Sequence, residues 1–154
     1  MRTTIIIPAR FESSRFPGKP LAPLKLNNGI SKPLIQLSWE AASRTKNINN
    51  IFIATDNLKI KDTAENFGAD VIMTSSKCEN GTARCAEAVR LSGINDELII
   101  NFQGDAPLTP NNVNEIKRIL KTDGIITLWI DKIYVFIAQT ISYEYASCRQ
   151  TCTY

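Results

Sequence analysis

Short apolar runs rich in β-branched residues alternate with longer amphipathic stretches over the first 124 residues of the chain. The apolar runs have the length of buried strands and lie at residues 4–7, 51–55, 70–74 and 97–102. The amphipathic stretches have helical periodicity and lie at residues 33–44, 58–67, 81–91 and 109–121. Strands and helices alternating at this spacing predict an α/β fold, a three-layer, mostly parallel Rossmann-like sheet covered by helices on both faces.

Residues with special backbone chemistry mark the ends of these predicted elements. Pro8 is expected to end the first strand's ladder, because it has no N–H to donate. Pro33 is expected in the first turn of the first helix, where a missing N–H costs nothing. We interpret Asp56 as the N-cap of the second helix rather than as a ligand, and Gly68 as the left-handed residue that ends it. The side chains predicted to face the core from the first helix are Leu34, Leu37, Trp39 and Ala41.

A chain of 154 residues is long enough to bury a substantial core. The pattern changes near residue 124, so we divide the chain into an α/β domain at 1–124 and a divergent tail at 125–154. Two strands are expected in the tail, at 125–130 and 133–138, followed by an irregular stretch.

Charge and composition exclude several classes of function. A net charge of +3 is too small to indicate a nucleic-acid partner. There is no apolar run of about 18 residues to span a membrane, and the first apolar run is too short for a signal peptide, so we expect a cytoplasmic protein. The four cysteines do not form the pattern of a secreted disulfide framework. The chain has no histidine, which excludes Ser-His and Cys-His nucleophiles and leaves carboxylates, lysine, arginine or a bound metal for catalysis.

A basic loop follows the first predicted strand. Arg10, Arg15 and Lys19 share it with small residues such as Ala9 and Gly18, which allow a ligand to approach the backbone. Two guanidinium groups and one ammonium suit a polyphosphate. The alternative is a solvated basic loop, but the position at the carboxyl end of a buried strand favours phosphate binding.

Two further segments lie at the same predicted edge. Asp105 follows the fourth predicted strand beside Gly104 and could hold Mg²⁺ together with phosphate oxygens; the alternative is an ordinary turn aspartate. The helix that begins at residues 80–82 offers free amides to an anion or a base edge. Arg84 would point toward that edge; the alternative is an ordinary cap with a surface arginine. Of the nearby cysteines, we interpret Cys78 as a loop thiol and Cys85 as a small core residue.

Four segments at these positions are IIPARFESSRFPGKPL, IATDN, CENGTARCAEA and NFQGDAPLTP. In order and spacing they resemble the 3-deoxy-manno-octulosonate cytidylyltransferases, or CMP-KDO synthetases, over roughly residues 3–128. The resemblance implies a fold of the nucleotide-diphospho-sugar transferase type. It also implies transfer of CMP from CTP to an acidic eight-carbon sugar, with Mg²⁺ as cofactor and release of pyrophosphate, in lipopolysaccharide biosynthesis.

The resemblance also implies individual roles. The residues implied to bind the nucleotide are Ala9, Arg10, Arg15, Lys19, Gly81, Thr82, Arg84 and Gln103. Asp105 is implied as the Mg²⁺ ligand, and it is implied to be catalytic together with Arg10 and Lys19. CTP and the acidic sugar are the implied partners. Members of the family are homodimers, and we expect their interface to be lost here.

The chain departs from the family pattern at three places. Ala106 stands where the family has a glutamate, Ala83 stands where it usually has an acidic residue, and the C-terminal half is expected to be missing or degenerate. We therefore expect weak Mg·CTP binding and little transfer. Two alternatives remain: a CTP-binding remnant without transferase activity, and another sugar cytidylyltransferase of the sialic-acid type.

Overall fold

The computed structural model of the protein describes residues 2–12 and 16–104, together with the backbone of 129–130 and 133–137. The strands are β1 (Thr3–Ala9), β2 (Pro23–Lys25), β3 (Ser31–Pro33), β4 (Asn50–Thr55), β5 (Asp70–Met73), β6 (Leu98–Phe102), β7 (Trp129–Ile130) and β8 (Ile133–Ile137). The α-helices are α1 (Leu34–Ser43), α2 (Leu58–Asn66) and α3 (Gly81–Ser92).

The central sheet has six strands in the order β5-β4-β1-β6-β8-β7. The first four of these run parallel to one another, and β8 joins β6 in the antiparallel direction. A separate antiparallel pair, β2 and β3, forms a hairpin before α1. The predicted α/β fold with a mostly parallel sheet is therefore confirmed.

Helices cover both faces of the sheet. Alternate residues of β1 point to opposite faces, so Ile5 and Ile7 join the cluster beneath α1 and α2, whereas Ile6 joins the cluster beneath α3. Ile35 of α1 and Ile60 of α2 are fully buried in the first cluster. This three-layer arrangement places the most deeply buried strands, β1 and β6, side by side at the centre.

The first helix buries a different set of residues from the one predicted. Leu34 and Ala41 are buried as expected, and Trp39 is half-buried against the core. Ile35, Ser38 and Ala42 are the most buried residues of the helix. Leu37 is only half-buried, so the prediction that it faces the core was wrong. The buried residues of α1 are Leu34, Ile35, Ser38, Ala41 and Ala42.

Helix ends follow the predictions in part. Gly68 has a φ of 89° just after α2, as expected for a left-handed terminating residue. Pro33 is the N-cap of α1, one position before the first turn. Asp56 does not cap α2, and that prediction was wrong. Asn57 does so instead, since its side chain accepts hydrogen bonds from the N–H groups of Lys59 and Ile60.

Pro8 ends only one of the two ladders of β1. The pairing with β6 stops at Ile6 opposite Asn101, but the pairing with β4 continues through Pro8 to Ala9. A residue's N–H and C=O point to the same side of a strand, and the Pro8 carbonyl faces Gly104 beyond β6. The missing N–H of Pro8 therefore affects the β6 side and leaves the β4 side intact.

The predictions for the C-terminal part are tested only in places. The helix predicted at 109–121 lies outside the described residues. Of the two strands predicted in the tail, β7 covers only the last two residues of the first, and β8 covers most of the second. Among the described residues, no helix is long and apolar enough to cross a bilayer. The division at residue 124 remains a prediction.

Candidate nucleotide-binding site

The carboxyl ends of the four parallel strands meet at one edge of the sheet. β1 ends at Ala9, β4 at Thr55, β5 at Met73 and β6 at Phe102. In open α/β sheets, ligands bind in the crevice outside these ends. The loop after each strand is therefore a candidate wall of the site.

Two glycines bring α3 and the turn after β6 against Pro8. A Cβ at Gly104 would lie 2.9 Å from the Pro8 carbonyl oxygen, and a Cβ at Gly81 would lie 3.2 Å from Cγ of the Pro8 ring. Neither glycine is among those with a positive φ, so close approach, rather than backbone conformation, explains their presence. The start of α3, the end of β1 and the turn after β6 thus form one packed junction.

The basic loop after β1 closes on itself. The Gly18 N–H donates to the Phe11 carbonyl oxygen at 2.8 Å, and Gly18 has a φ of 70°, which favours glycine. Arg10 is exposed and adjoins one end of this hydrogen bond, whereas Lys19 is half-buried and adjoins the other. Loop closure therefore brings the backbones of these two cations together. Arg15 lies outside the described residues.

A chain of side-chain hydrogen bonds links β6 to α3. The amide of Gln103 donates to Asn101 Oδ1 at 3.3 Å, and the amide of Asn101 donates to Thr82 Oγ1 at 3.4 Å. Asn101 is fully buried, so the two predicted nucleotide-binding side chains, Thr82 and Gln103, are joined through a residue that we did not predict. The sequence did contain a signal for this link, since Asn101 is a polar residue inside the otherwise apolar run of β6.

Ser38 of α1 holds the turn that precedes Asp105. Its hydroxyl is fully buried and lies 2.8 Å from the Gly104 carbonyl oxygen and 3.2 Å from that of Leu34. The Gly104 peptide is therefore held between α1 and Pro8. Asp105 itself lies outside the described residues, so its role as a metal ligand stays a prediction.

Arg84 is directed into the protein, and the alternative of a surface arginine was wrong. Its side chain is 2% exposed, and its Nη2 lies 2.8 Å from Asp56 Oδ2. Its Nη1 donates to Thr74 Oγ1 at 2.5 Å and to the Ser75 carbonyl oxygen at 3.4 Å. Asp56 is thus the ion-pair partner of α3, which explains why it does not cap α2.

The loop before α3 is tied to the helix by a thiol and a carboxylate. Cys78 Sγ donates to Glu87 Oε2 at 2.8 Å, and the Ser75 N–H donates to the same oxygen at 2.9 Å. Burial, together with the Glu87 hydrogen bond, raises the pKa of Cys78 from 9.0 to about 11. The bond from Cys78 lowers the pKa of Glu87. Cys85 is buried in the core as predicted, and burial raises the pKa of its thiol more than that of Cys78.

The structure brings together most of the predicted site residues that it describes. Ala9, Arg10, Gly81, Thr82 and Gln103 lie at or beside the junction around Pro8. No group of three or more carboxylates or cysteines suited to a metal occurs among the described residues. A dedicated metal cage is therefore not present in the part of the chain that the structure describes.

Solved structures of nucleotidyltransferases have the same fold. CMP:2-keto-3-deoxy-manno-octonic acid synthetase complexed with CTP matches with a TM-score of 0.71 and 32% identity, over 80% of this chain and 48% of that chain. A cytidylyltransferase from Leptospira borgpetersenii serovar Hardjo-bovis (strain JB197) matches with a TM-score of 0.67 and 22% identity, over 89% and 60%. The second likeness concerns the fold alone.

Sequence comparison defines the family. The cytidylyltransferase profile matches residues 4–123, and the chain belongs to the cytidylyltransferase family. The 8-amino-3,8-dideoxy-manno-octulosonate cytidylyltransferase of Shewanella frigidimarina (strain NCIMB 400) is 50% identical over 118 residues, 75% of this chain and 46% of the relative. The Shewanella amazonensis (strain ATCC BAA-1098 / SB2B) protein of the same name is 46% identical over 123 residues, 79% and 48%. The chain thus spans about half the length of these curated relatives, and the sugar remains a prediction.

Proposed function

We propose that the chain binds CTP at the carboxyl edge of its sheet and serves the transfer of CMP from CTP to an acidic eight-carbon sugar, with release of pyrophosphate. The observation that carries this proposal is the junction at Pro8, where the end of β1, which leads into the cationic loop, packs against the amino end of α3. Family membership and the likeness to a synthetase complexed with CTP support it.

The triphosphate would lie against the basic loop. Arg10, Arg15 and Lys19 would pair with its oxygens, the two guanidinium groups by bidentate hydrogen bonds and the ammonium as a point charge. Closure of the loop between Phe11 and Gly18 places the backbones of Arg10 and Lys19 beside one another before the nucleotide arrives, which reduces the ordering cost of binding.

The cytidine would lie between the end of β1 and α3. The Ala9 backbone, the Gly81 and Thr82 amides and the Gln103 side chain are the groups proposed to hold it. The first amides of a helix have no intrahelical acceptor and are available to a ligand. A site built for the amino group of cytosine would leave polar groups unpaired with uracil, so CTP should bind better than UTP.

The ligands proposed for a magnesium ion are one carboxylate of the chain and the phosphates of the nucleotide with which the ion would arrive. Mg²⁺ is commonly bound by one or two carboxylates together with substrate phosphates, and Asp105 directly follows Gly104, which packs against Pro8. Asp105 would hold the ion, which when bound would neutralise phosphate charge.

The chain's own cations would stabilise the transition state. As the sugar hydroxyl oxygen attacks the α-phosphorus in line, the bond from that phosphorus to the oxygen bridging the β-phosphate breaks, and the hydroxyl proton passes to solvent. Arg10 and Lys19 would stabilise the charge that develops on the phosphate oxygens and on the leaving pyrophosphate. No covalent nucleophile is required.

We propose a sugar of the 3-deoxy-manno-octulosonate class. The 8-amino-3,8-dideoxy form is a specific second candidate, because the Shewanella relatives carry that name. The two sugars differ at C8, where one has a hydroxyl and the other an amine, so the acceptor has to be tested with both.

Nucleotide binding is tested by calorimetry with the full 154-residue chain, which compares the affinity for Mg·CTP with the affinity for Mg·UTP. Pyrophosphate release with each of the two sugars then tests transfer. We expect Mg·CTP to bind weakly but more tightly than Mg·UTP, and transfer to one of the two sugars to be slow. Binding without transfer would favour the remnant without activity, and equal affinity for CTP and UTP would contradict the proposed base site.

Lys19→Ala should weaken CTP binding or slow transfer while leaving the fold intact. Loss of one preorganised charge at a transition state costs on the order of 3 kcal/mol. Lys46→Ala is the matched control, because Lys46 is exposed and lies before β4, at the opposite edge of the sheet. Equal affinity and equal turnover in the two variants would exclude Lys19 from the site.

A further inference from the structure

We infer that Arg84 is a positioning residue, which fixes the first turn of α3 for the nucleotide through a buried anchor and does not contact the nucleotide itself. The inference rests on the proposed function. The anchor consists of Asp56, Thr74, Ser75 and Arg84. It joins three elements, since Asp56 follows β4, Thr74 and Ser75 follow β5, and Arg84 belongs to α3.

Burial separates Arg84 from any ligand. The side chain is 2% exposed, so almost none of its surface is available for contact with a base or a phosphate. Both terminal nitrogens already have protein acceptors: Nη2 pairs with Asp56 and Nη1 with Thr74 and Ser75. A direct contact with cytidine would require this set of bonds to be broken.

Asp56 depends on Arg84 for compensation of its charge. Its side chain is 14% exposed, and its Oδ1 is buried without a hydrogen-bond partner among the described residues. A buried carboxylate with one unpaired oxygen is costly. Replacing a buried ion pair with apolar residues of similar volume often leaves the stability of a protein unchanged. The presence of the Asp56–Arg84 pair is therefore better explained by the geometry that it imposes than by a gain in stability.

The imposed geometry concerns the amides proposed to receive the nucleotide. On one side of α3, Gly81 packs against the Pro8 ring. On the other side, Arg84 ties the same turn to the ends of β4 and β5. Within the turn, the Asn80 side chain caps α3, because it accepts a hydrogen bond from the Ala83 N–H at 2.8 Å. Release of Arg84 would let this turn move away from β1.

Binding and hydrogen exchange test the anchor together. Thr74→Val removes one hydroxyl without a change in shape, and Asp56→Asn removes the charge. Thr63→Val is the matched control, because its hydroxyl donates to the Lys59 carbonyl oxygen on the distant α2. Each anchor variant should weaken Mg·CTP binding about tenfold, as loss of a charge-assisted hydrogen bond does. Adding Arg84→Lys to Asp56→Asn should weaken binding no further.

The ligand-free protein supplies a readout that does not depend on CTP. Exchange of the Ala83 and Arg84 amides should accelerate in Thr74→Val but not in Thr63→Val. Faster exchange with unchanged CTP affinity would make the anchor merely structural and overturn the inference. Weaker binding in Arg84→Lys with wild-type binding in Asp56→Asn and Thr74→Val would overturn it too, by showing a direct contact. If the wild type does not bind CTP, the proposed function fails and the role of Arg84 in nucleotide binding fails with it, whereas the exchange rates still show whether Arg84 holds the first turn of α3.

Discussion

Gly104→Ala should destabilise the protein because the added methyl group meets backbone. The new Cβ would lie 2.9 Å from the Pro8 carbonyl oxygen and 3.6 Å from the nearest atoms of Ile7 and Ile35. Neither β1 nor the turn after β6 can move freely, since Ser38 holds the Gly104 carbonyl from the other side at 2.8 Å. Overpacking of this kind costs about 1–3 kcal/mol, which corresponds to a fall in melting temperature of roughly 2–12 °C in a chain of 154 residues.

Urea unfolding of the full chain, followed by circular dichroism, measures this loss. Gly81→Ala is the matched control, since its Cβ would meet only the Pro8 ring at 3.2 Å and alanine has the higher helix propensity. We expect its unfolding midpoint to stay close to that of the wild type. A Gly104→Ala midpoint equal to or above the wild-type value would refute the close approach of the turn to β1.

Other contacts near the site give three further expectations. Ser38→Val should cost about 1–3 kcal/mol in urea unfolding, because it leaves the Gly104 carbonyl without its buried donor; Ser43→Ala, which removes a hydroxyl from the exposed end of the same helix, should cost much less. With a pKa of about 11, Cys78 should react with iodoacetamide at pH 8 on the order of a hundredfold more slowly than an unperturbed thiol, and Glu87→Gln should accelerate it in peptide mapping; equal rates would contradict the hydrogen bond. Since the folded pKa of Glu87 is lowered from 4.5, its carboxylate stabilises the fold above that pH, and the contribution is lost as pH falls through the lowered value. Acid titration of Glu87→Gln should therefore lose less stability than the wild type, and identical acid limbs would contradict the shift.

The elements of the fold could be predicted because their signals are local. Apolar runs with β-branched residues marked β1, β4 and β6. Gly68 marked the end of α2, because the left-handed conformation that ends many helices favours glycine. The bounds of most described helices and strands differ from the predictions by one or two residues, which is the ordinary uncertainty of such ends. Local patterns also indicated that the basic loop would follow the carboxyl end of β1.

Contacts between distant parts of the chain could not be predicted in this way. Asp56 and Asn57 are both good caps by composition, and the choice between them depends on Arg84, 28 residues away. The burial of Ser38 depends on a carbonyl 66 residues along the chain. For Pro8, the pattern indicated a loss of pairing but not which neighbour would lose it, because that depends on the strand order.

The loop closed by Gly18 and Phe11 has a consequence for how this protein can evolve. The hydrogen bond that closes it joins residues close together in sequence, so substitutions within the loop can alter its charge with little effect on global stability. The opposite wall, the first turn of α3, is tied to strands that form the core. Changes there alter binding and folding together. Adaptation to a new ligand should therefore begin in the loop.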